Sequence, residues 1–230
     1  MISIRFVLVM TLLGLLSTTS LYSQRDSIIK YDFVFLDTLL DHADYDIRYA
    51  GDNNFLGRPV TGYYQPRLIL SRQAAMALKD VEDDIYESGY TLLLYDTYRP
   101  QRAVDNFRSW ARTPEDTVTR SQYYPEHDKR NLFKLGYIST RSGHSRGSTI
   151  DLTMRHVHTG HIVDMGGPYD YFGELSHHNY NQLTAQQKQH RIILKSAMQR
   201  HGFRPYSKEW WHYTLNGEPY RNQYFDFIVE

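Results

Sequence analysis

Cysteine is absent from the 230 residues. No disulfide can staple this fold, no thiolate can act as nucleophile, and anchoring through a lipidated N-terminal cysteine is excluded. Any metal must be held by His, Asp or Glu. An excess of one charge is also missing. Lys plus Arg and Asp plus Glu both number 26, so the formal net charge is zero. With no polybasic stretch, a nucleic-acid partner has no electrostatic support. No serine elbow, phosphate loop or dinucleotide fingerprint occurs, and Gly166-Gly167 is a turn signal only.

Long apolar runs are lacking except at the start. Arg5 precedes an apolar run over 6–16, followed by small and polar residues up to Gln24. A short basic start, an apolar centre and a small-residue zone make a signal peptide over 1–23, with cleavage near Ser23-Gln24. The run is short for a bilayer span, a retained anchor being the alternative. The expected mature chain, 24–230, is therefore exported and periplasmic, with no stable membrane anchor after cleavage. Its composition, 41% hydrophobic and 23% charged, suits a single globular domain. The 20 tyrosines fit a surface for sugars or peptides, or simply a Tyr-rich composition.

Local patterns divide the chain. Residues 26–40 read as an extended lead-in, 45–49 as a short strand and 55–66 as a long loop. Ala74, Ala75, Leu78, Val81 and Ile85 recur at helical spacing, which predicts a helix over 71–88 with Ser71 as its cap. The apolar run 90–95 predicts a central strand covered on both sides. Pro100 suits the first position of a helix over 100–111, which leaves Arg99 at the strand end. Residues 113–134 read as a surface excursion, 149–155 as a strand holding Asp151, and 156–173 as loop or hairpin. Thr184 and Gln187 form a possible capping box for a helix over 183–201, and 210–215 is the last expected strand. Interspersed helices and hairpin-like strands favour an α+β fold with a central antiparallel sheet flanked by helices.

Chemistry concentrates in two segments. Ser142-Gly143-His144-Ser145-Arg146-Gly147-Ser148-Thr149-Ile150-Asp151 offers an imidazole and a carboxylate around a glycine turn. Glu209-Trp210-Trp211-His212-Tyr213 offers a second imidazole and a second carboxylate. Two nitrogens and one oxygen with an open fourth position are the donors of many catalytic zinc sites. The residues alone leave open whether His212 meets the other two. Glu209 and His212, three apart, face opposite sides of a regular strand, so both reach one metal only if the chain bends at Glu209. A carboxylate beside the metal, but not ligating it, is placed to take a proton from water. Arg99 is a candidate to hold an oxyanion, or else the ion-pair partner of Asp96 or Asp105. A rival cluster, His156, His158 and His161 with His177-His178, is a weaker metal site, because adjacent histidines point apart.

Together, Tyr98-Arg99-Pro100, the 142–153 segment, Asp164-Met165-Gly166, Ser176-His177-His178 and Glu209-Trp210-Trp211-His212-Tyr213 resemble the D-alanyl-D-alanine dipeptidases of the VanX type. The resemblance runs from about 45 to 215. The wider group includes VanY-type D,D-carboxypeptidases and the hedgehog signalling domain. The resemblance implies one zinc per chain held by His144, Asp151 and His212. It also implies Glu209 as general base, Arg99 as transition-state stabiliser, and Tyr49, Ser142 and Asp170 lining a pocket for a small D,D-dipeptide. Gly143 stands where many relatives have a bulkier residue. Resistance-associated members act in the cytoplasm, so the export signal points instead to wall turnover or salvage. The alternatives are a D,D- or L,D-carboxypeptidase trimming peptidoglycan stems, and a non-catalytic zinc-containing binding module.

Overall fold

The computed structural model describes residues 26–230, and the expected signal peptide lies outside the described residues. In chain order the strands are β1 (Phe33–Phe35), β2 (Asp44–Tyr45), β3 (Ile69–Ser71), β4 (Tyr90–Asp96), β5 (Thr149–His156), β6 (Phe203–Tyr206) and β7 (Glu209–Leu215). The helices are α1 (Arg72–Glu87), α2 (Gln101–Ala111), α3 (Arg120–Tyr123) and α4 (Ala185–Arg200). The architecture is α+β. A five-stranded sheet runs in the order β2-β4-β5-β7-β6, antiparallel except for the short parallel edge pair β2-β4. β1 and β3 form a separate antiparallel pair. Among the described residues, no helix is long and apolar enough to cross a membrane.

The apolar patterns explain this layout. Leu92, Leu93 and Leu94 of β4 are all buried, as expected of a strand covered on both faces. On β5, Ile150, Leu152 and Met154 share one face, which leaves Asp151 and Thr153 on the other. Ala74, Ala75, Leu78, Val81 and Ile85 make the buried stripe of α1, which packs on β4 and α4. The capping box of α4 is present: Gln187 N donates to Thr184 Oγ1 at 3.2 Å, and Thr184 N donates to Gln187 Oε1 at 3.0 Å.

Three local expectations are corrected. Ser71 ends β3 and caps nothing, because its hydroxyl pairs with that of Ser148 at 2.9 Å. Pro100 sits one place before the first helical residue, its ψ of 146° still extended. The expected strand over 45–49 shrinks to Asp44–Tyr45, and Arg48–Ala50 coils into a 3-10 turn. That turn lets the Tyr49 ring pack among Phe55, Tyr63 and Phe107 in the core.

Three irregularities aim side chains at one point. Gly147 ends the 3-10 turn His144–Arg146 with φ 77°, and a Cβ there would lie 2.2 Å from the Phe33 ring. Only glycine allows this reversal into β5. In β4 a bulge between Leu94 and Asp96 sets Asp96 directly opposite Asp151. In the β6-β7 hairpin the pairing passes from Pro205↔Tyr213 to Tyr206↔Glu209, so Trp210, Trp211 and His212 have no partner on β6, while His212 stays opposite Asp151 of β5.

Candidate metal centre and substrate pocket

His144, Asp151 and His212 converge, each offering one ligand atom within 4.8 Å of the others. His144 Nε2 lies 3.3 Å from Asp151 Oδ2 and 3.4 Å from His212 Nδ1. His144 Nδ1 is 2.6 Å from the Thr97 carbonyl. A carbonyl can only accept, so Nδ1 carries the proton and the Nε2 lone pair faces the cluster. Asp151 Oδ1 is buried without a hydrogen bond, although His212 Nδ1 is 3.0 Å away. A buried carboxylate flanked by two imidazole nitrogens, with one oxygen accepting no hydrogen bond, suits a divalent cation.

The charge balance points the same way. Asp96, Asp151, Asp170 and Glu209 are 1%, 2%, 5% and 8% exposed. The Arg99 guanidinium lies among them, 2.8 Å from Asp96 Oδ2 and 3.5 Å from Asp151 Oδ2. Burial opposes the Asp151 charge, but the imidazoles of His144 and His212 outweigh it and hold the carboxyl below its usual range. Glu209 is pushed well above the usual range, by burial first and then by the charges of Asp151 and Asp170. Asp170 is pushed up to about 8, by burial first and then by Asp151. Four buried carboxylates around one arginine would be better balanced by a bound divalent cation, which favours their ionised forms.

The bulge in β7 answers the geometric question about Glu209. Its Oε2 lies 3.4 Å from His212 Nδ1, so the two reach the same point despite their spacing. The chain turns at 207–208, just before Glu209, which is itself the first residue of β7. A cavity of about 520 Å³ opens over the cluster. Arg99, Ser142, Asp151, Asp170, Glu209 and His212 line it, with Tyr49, Phe107 and Tyr137 among its aromatic walls. Asp170, at φ 60°, accepts a 2.9 Å hydrogen bond from the Tyr49 hydroxyl. Ser142 Oγ accepts from His144 N at 3.2 Å.

A family model described as D-ala-D-ala dipeptidase (peptidase family M15) matches residues 30–230. The chain belongs to this family. It is thus a metal-dependent peptidase. The D-alanyl-D-alanine dipeptidase of Enterococcus faecium is 43% identical over 86% of this chain and 98% of its own length. Those of Streptomyces coelicolor and Escherichia coli are 42% and 32% identical, over 98% and 84% of their lengths. Among solved structures, VanYB in complex with D-Alanine-D-Alanine aligns with 65% of this chain and 73% of its own, at 14% identity and a TM-score of 0.40.

All eight residues singled out in the sequence of this metallopeptidase, Tyr49, Arg99, Ser142, His144, Asp151, Asp170, Glu209 and His212, lie in or beside this one cluster. Arg99 is paired with Asp96 and also lines the cavity, and Asp105 is not its partner. Among the described residues the rival histidines form no metal-ligand group. His177 Nε2 instead meets Tyr137 OH at 3.0 Å, and His178 Nε2 has no hydrogen-bond partner. Gly143 has a packing reason, since a Cβ there would lie 2.6 Å from Thr149 Oγ1.

Sequence reasoning missed the supports. Tyr169 OH donates to Asp151 Oδ2 at 3.2 Å and stacks its ring on Tyr95. Tyr63 OH donates to Asp96 at 2.6 Å. Nothing distinguished these two among 20 tyrosines. The Thr97 carbonyl carries no sequence signal at all.

Proposed function

We propose that the chain hydrolyses the D-Ala-D-Ala dipeptide, using one zinc ion held by His144, Asp151 and His212, in turnover or salvage of cell-wall peptides. The convergence of two imidazole nitrogens with a buried carboxylate, one of whose oxygens accepts no hydrogen bond, at the cavity carries this reading. It is supported by relatives named D-alanyl-D-alanine dipeptidase that match almost end to end. When bound, zinc supplies Lewis acidity, lowers the pKa of water toward about 7 and favours the ionised forms of neighbouring carboxylates.

The chain's own groups do the rest. Glu209 takes the proton of the attacking water and returns one to the leaving amine. Its burial raises its proton affinity, which favours the first of these transfers. Arg99, held by Asp96 and packed 4.9 Å from the Tyr49 ring, faces the oxyanion of the tetrahedral intermediate without reorganising. Asp170, with Tyr49, binds the substrate's free ammonium, and Ser142 lines the same cavity. The apolar run over 6–16 supports export, which is consistent with a reaction in the periplasm.

The test is hydrolysis of free and N-acetylated D-Ala-D-Ala by the purified mature chain, with and without chelator. Cleavage of the free dipeptide alone, lost with chelator and restored by zinc, is expected. Equal cleavage of the blocked form, or release of D-Ala only from longer stem peptides, would identify a carboxypeptidase instead.

A further inference from the structure

The loop that carries Tyr169 and Asp170 is fastened from behind by α4. Asp164 Oδ2 accepts from Gln187 Nε2 at 2.9 Å, and the Asp164 carbonyl accepts from His190 Nδ1 at 2.7 Å. Arg191 is the third of these ties and, like His190, is buried. Nε donates to the Met165 carbonyl at 2.6 Å, Nη2 to Leu175 at 2.8 Å and Nη1 to His177 at 2.9 Å. The three side chains stand at positions i, i+3 and i+4, on one face of the helix.

Arg191 is unusual in its partners. It is 5% exposed, yet among the described residues no carboxylate lies within 4.0 Å of it. Burial lowers its pKa to about 10, so it stays charged at neutral pH. A buried cation normally sits beside an anion. Here every donor-bearing nitrogen serves a main-chain carbonyl of the same loop, at its start (Met165) and at its end (Leu175, His177). Between these anchors Tyr169 reaches Asp151 and Asp170 reaches Tyr49. Asp170 is also one of only two non-glycine residues with positive φ among the described residues. Such a backbone persists only where its surroundings over-determine it.

We infer that Arg191 is a positioning residue for substrate recognition: its guanidinium ties the two ends of the 165–177 loop and so fixes Asp170 at the pocket wall, ready for the substrate's ammonium. This rests on the proposed role of Asp170. The guanidinium touches no reacting atom. It acts on binding of the ground state and of the transition state alike, so its loss raises KM and spares kcat.

The experiment compares wild type, Arg191→Lys, Asp170→Asn and the double variant, each zinc-loaded. Arg191→Lys keeps the charge but cannot serve three diverging carbonyls. Expected are retained metal content, a KM for D-Ala-D-Ala raised about tenfold with kcat within about threefold, and faster amide hydrogen exchange confined to 166–176. The KM effects of the two single variants should also be non-additive, since both act through Asp170. Unchanged exchange in 166–176, or fully additive KM effects, overturns the inference. A fall in melting temperature with KM unchanged does so too, because it leaves a structural role only. If Arg191→Lys does not fold, Arg191→Gln, which keeps two N–H donors, is measured the same way. If wild type does not cleave D-Ala-D-Ala, the functional reading fails, and the exchange measurement still decides whether Arg191 fixes the loop.

Discussion

Asp170→Asn separates the stability of this site from its purpose. The Asp170 carboxyl is pushed up to about 8 by burial and by the charge of Asp151. In the metal-free chain the folded state therefore keeps a proton that the unfolded state releases near pH 4. The folded state binds more protons between about pH 4 and pH 8, so stability falls as pH rises through that window. Asparagine is nearly isosteric and its carbonyl can accept the Tyr49 hydrogen bond, but it does not titrate. At about 1.4 kcal/mol per unit over about 4 units, the variant should gain on the order of 5 kcal/mol on wild type between pH 4 and pH 8.5. For a chain of this size that is roughly 10–20 °C in melting temperature. The assay is thermal unfolding of chelated wild type and variant across that range. Substrate binding should move the other way. Losing a charge-assisted contact to the ammonium costs about 1.5–3 kcal/mol, or about 10–150-fold in KM. A melting-temperature difference that does not grow with pH would refute the burial argument, and an unchanged KM would refute the ammonium site.

Three further outcomes are expected. Glu209→Ala should keep full metal content by elemental analysis while kcat falls about 10²–10⁴-fold, since its proposed role is to move protons and not to ligate; strong residual turnover would sink that role. Tyr169→Phe removes the hydroxyl that fixes Asp151 Oδ2, and should weaken zinc about 10–100-fold in a competition titration against a chelating dye. Thr184→Ala breaks the α4 capping box, and calorimetry should show about 1 kcal/mol less stability with KM and kcat unchanged.

Much of the site was legible because its ligands are chemically conspicuous. Among His, Asp and Glu, the sequence offered one glycine-framed and one tryptophan-framed segment, and both reach the cluster. The α1 stripe, the β4 run and the capping box follow from periodicity and capping, which are local. The misreadings were also local in appearance but tertiary in cause. Ser71 looked like a cap until Ser148, distant in sequence, claimed its hydroxyl. Residues 45–49 looked like a strand until the aromatic core drew Tyr49 inward. Glu209 and His212 looked opposed until the bulge in β7 turned them together.

By itself, then, the sequence determined which donors were available. With no cysteine, any metal had to be held by His, Asp or Glu, and the segments 142–151 and 209–213 supplied candidates whose meeting the residues alone left open. It also determined the helices and the buried central strand, because apolar spacing acts over a few residues. Only the tertiary structure decided that the donors meet. It did so through a glycine with positive φ, two bulges and a hydrogen bond to the Thr97 carbonyl. It alone decided that Asp170 and Glu209 are carboxylates with raised pKa values, since burial and neighbouring charge are set by residues far apart in the chain. Arg191 is the plainest case: a helical arginine in sequence becomes, by packing, the fastening of a loop from three carbonyls that no motif records.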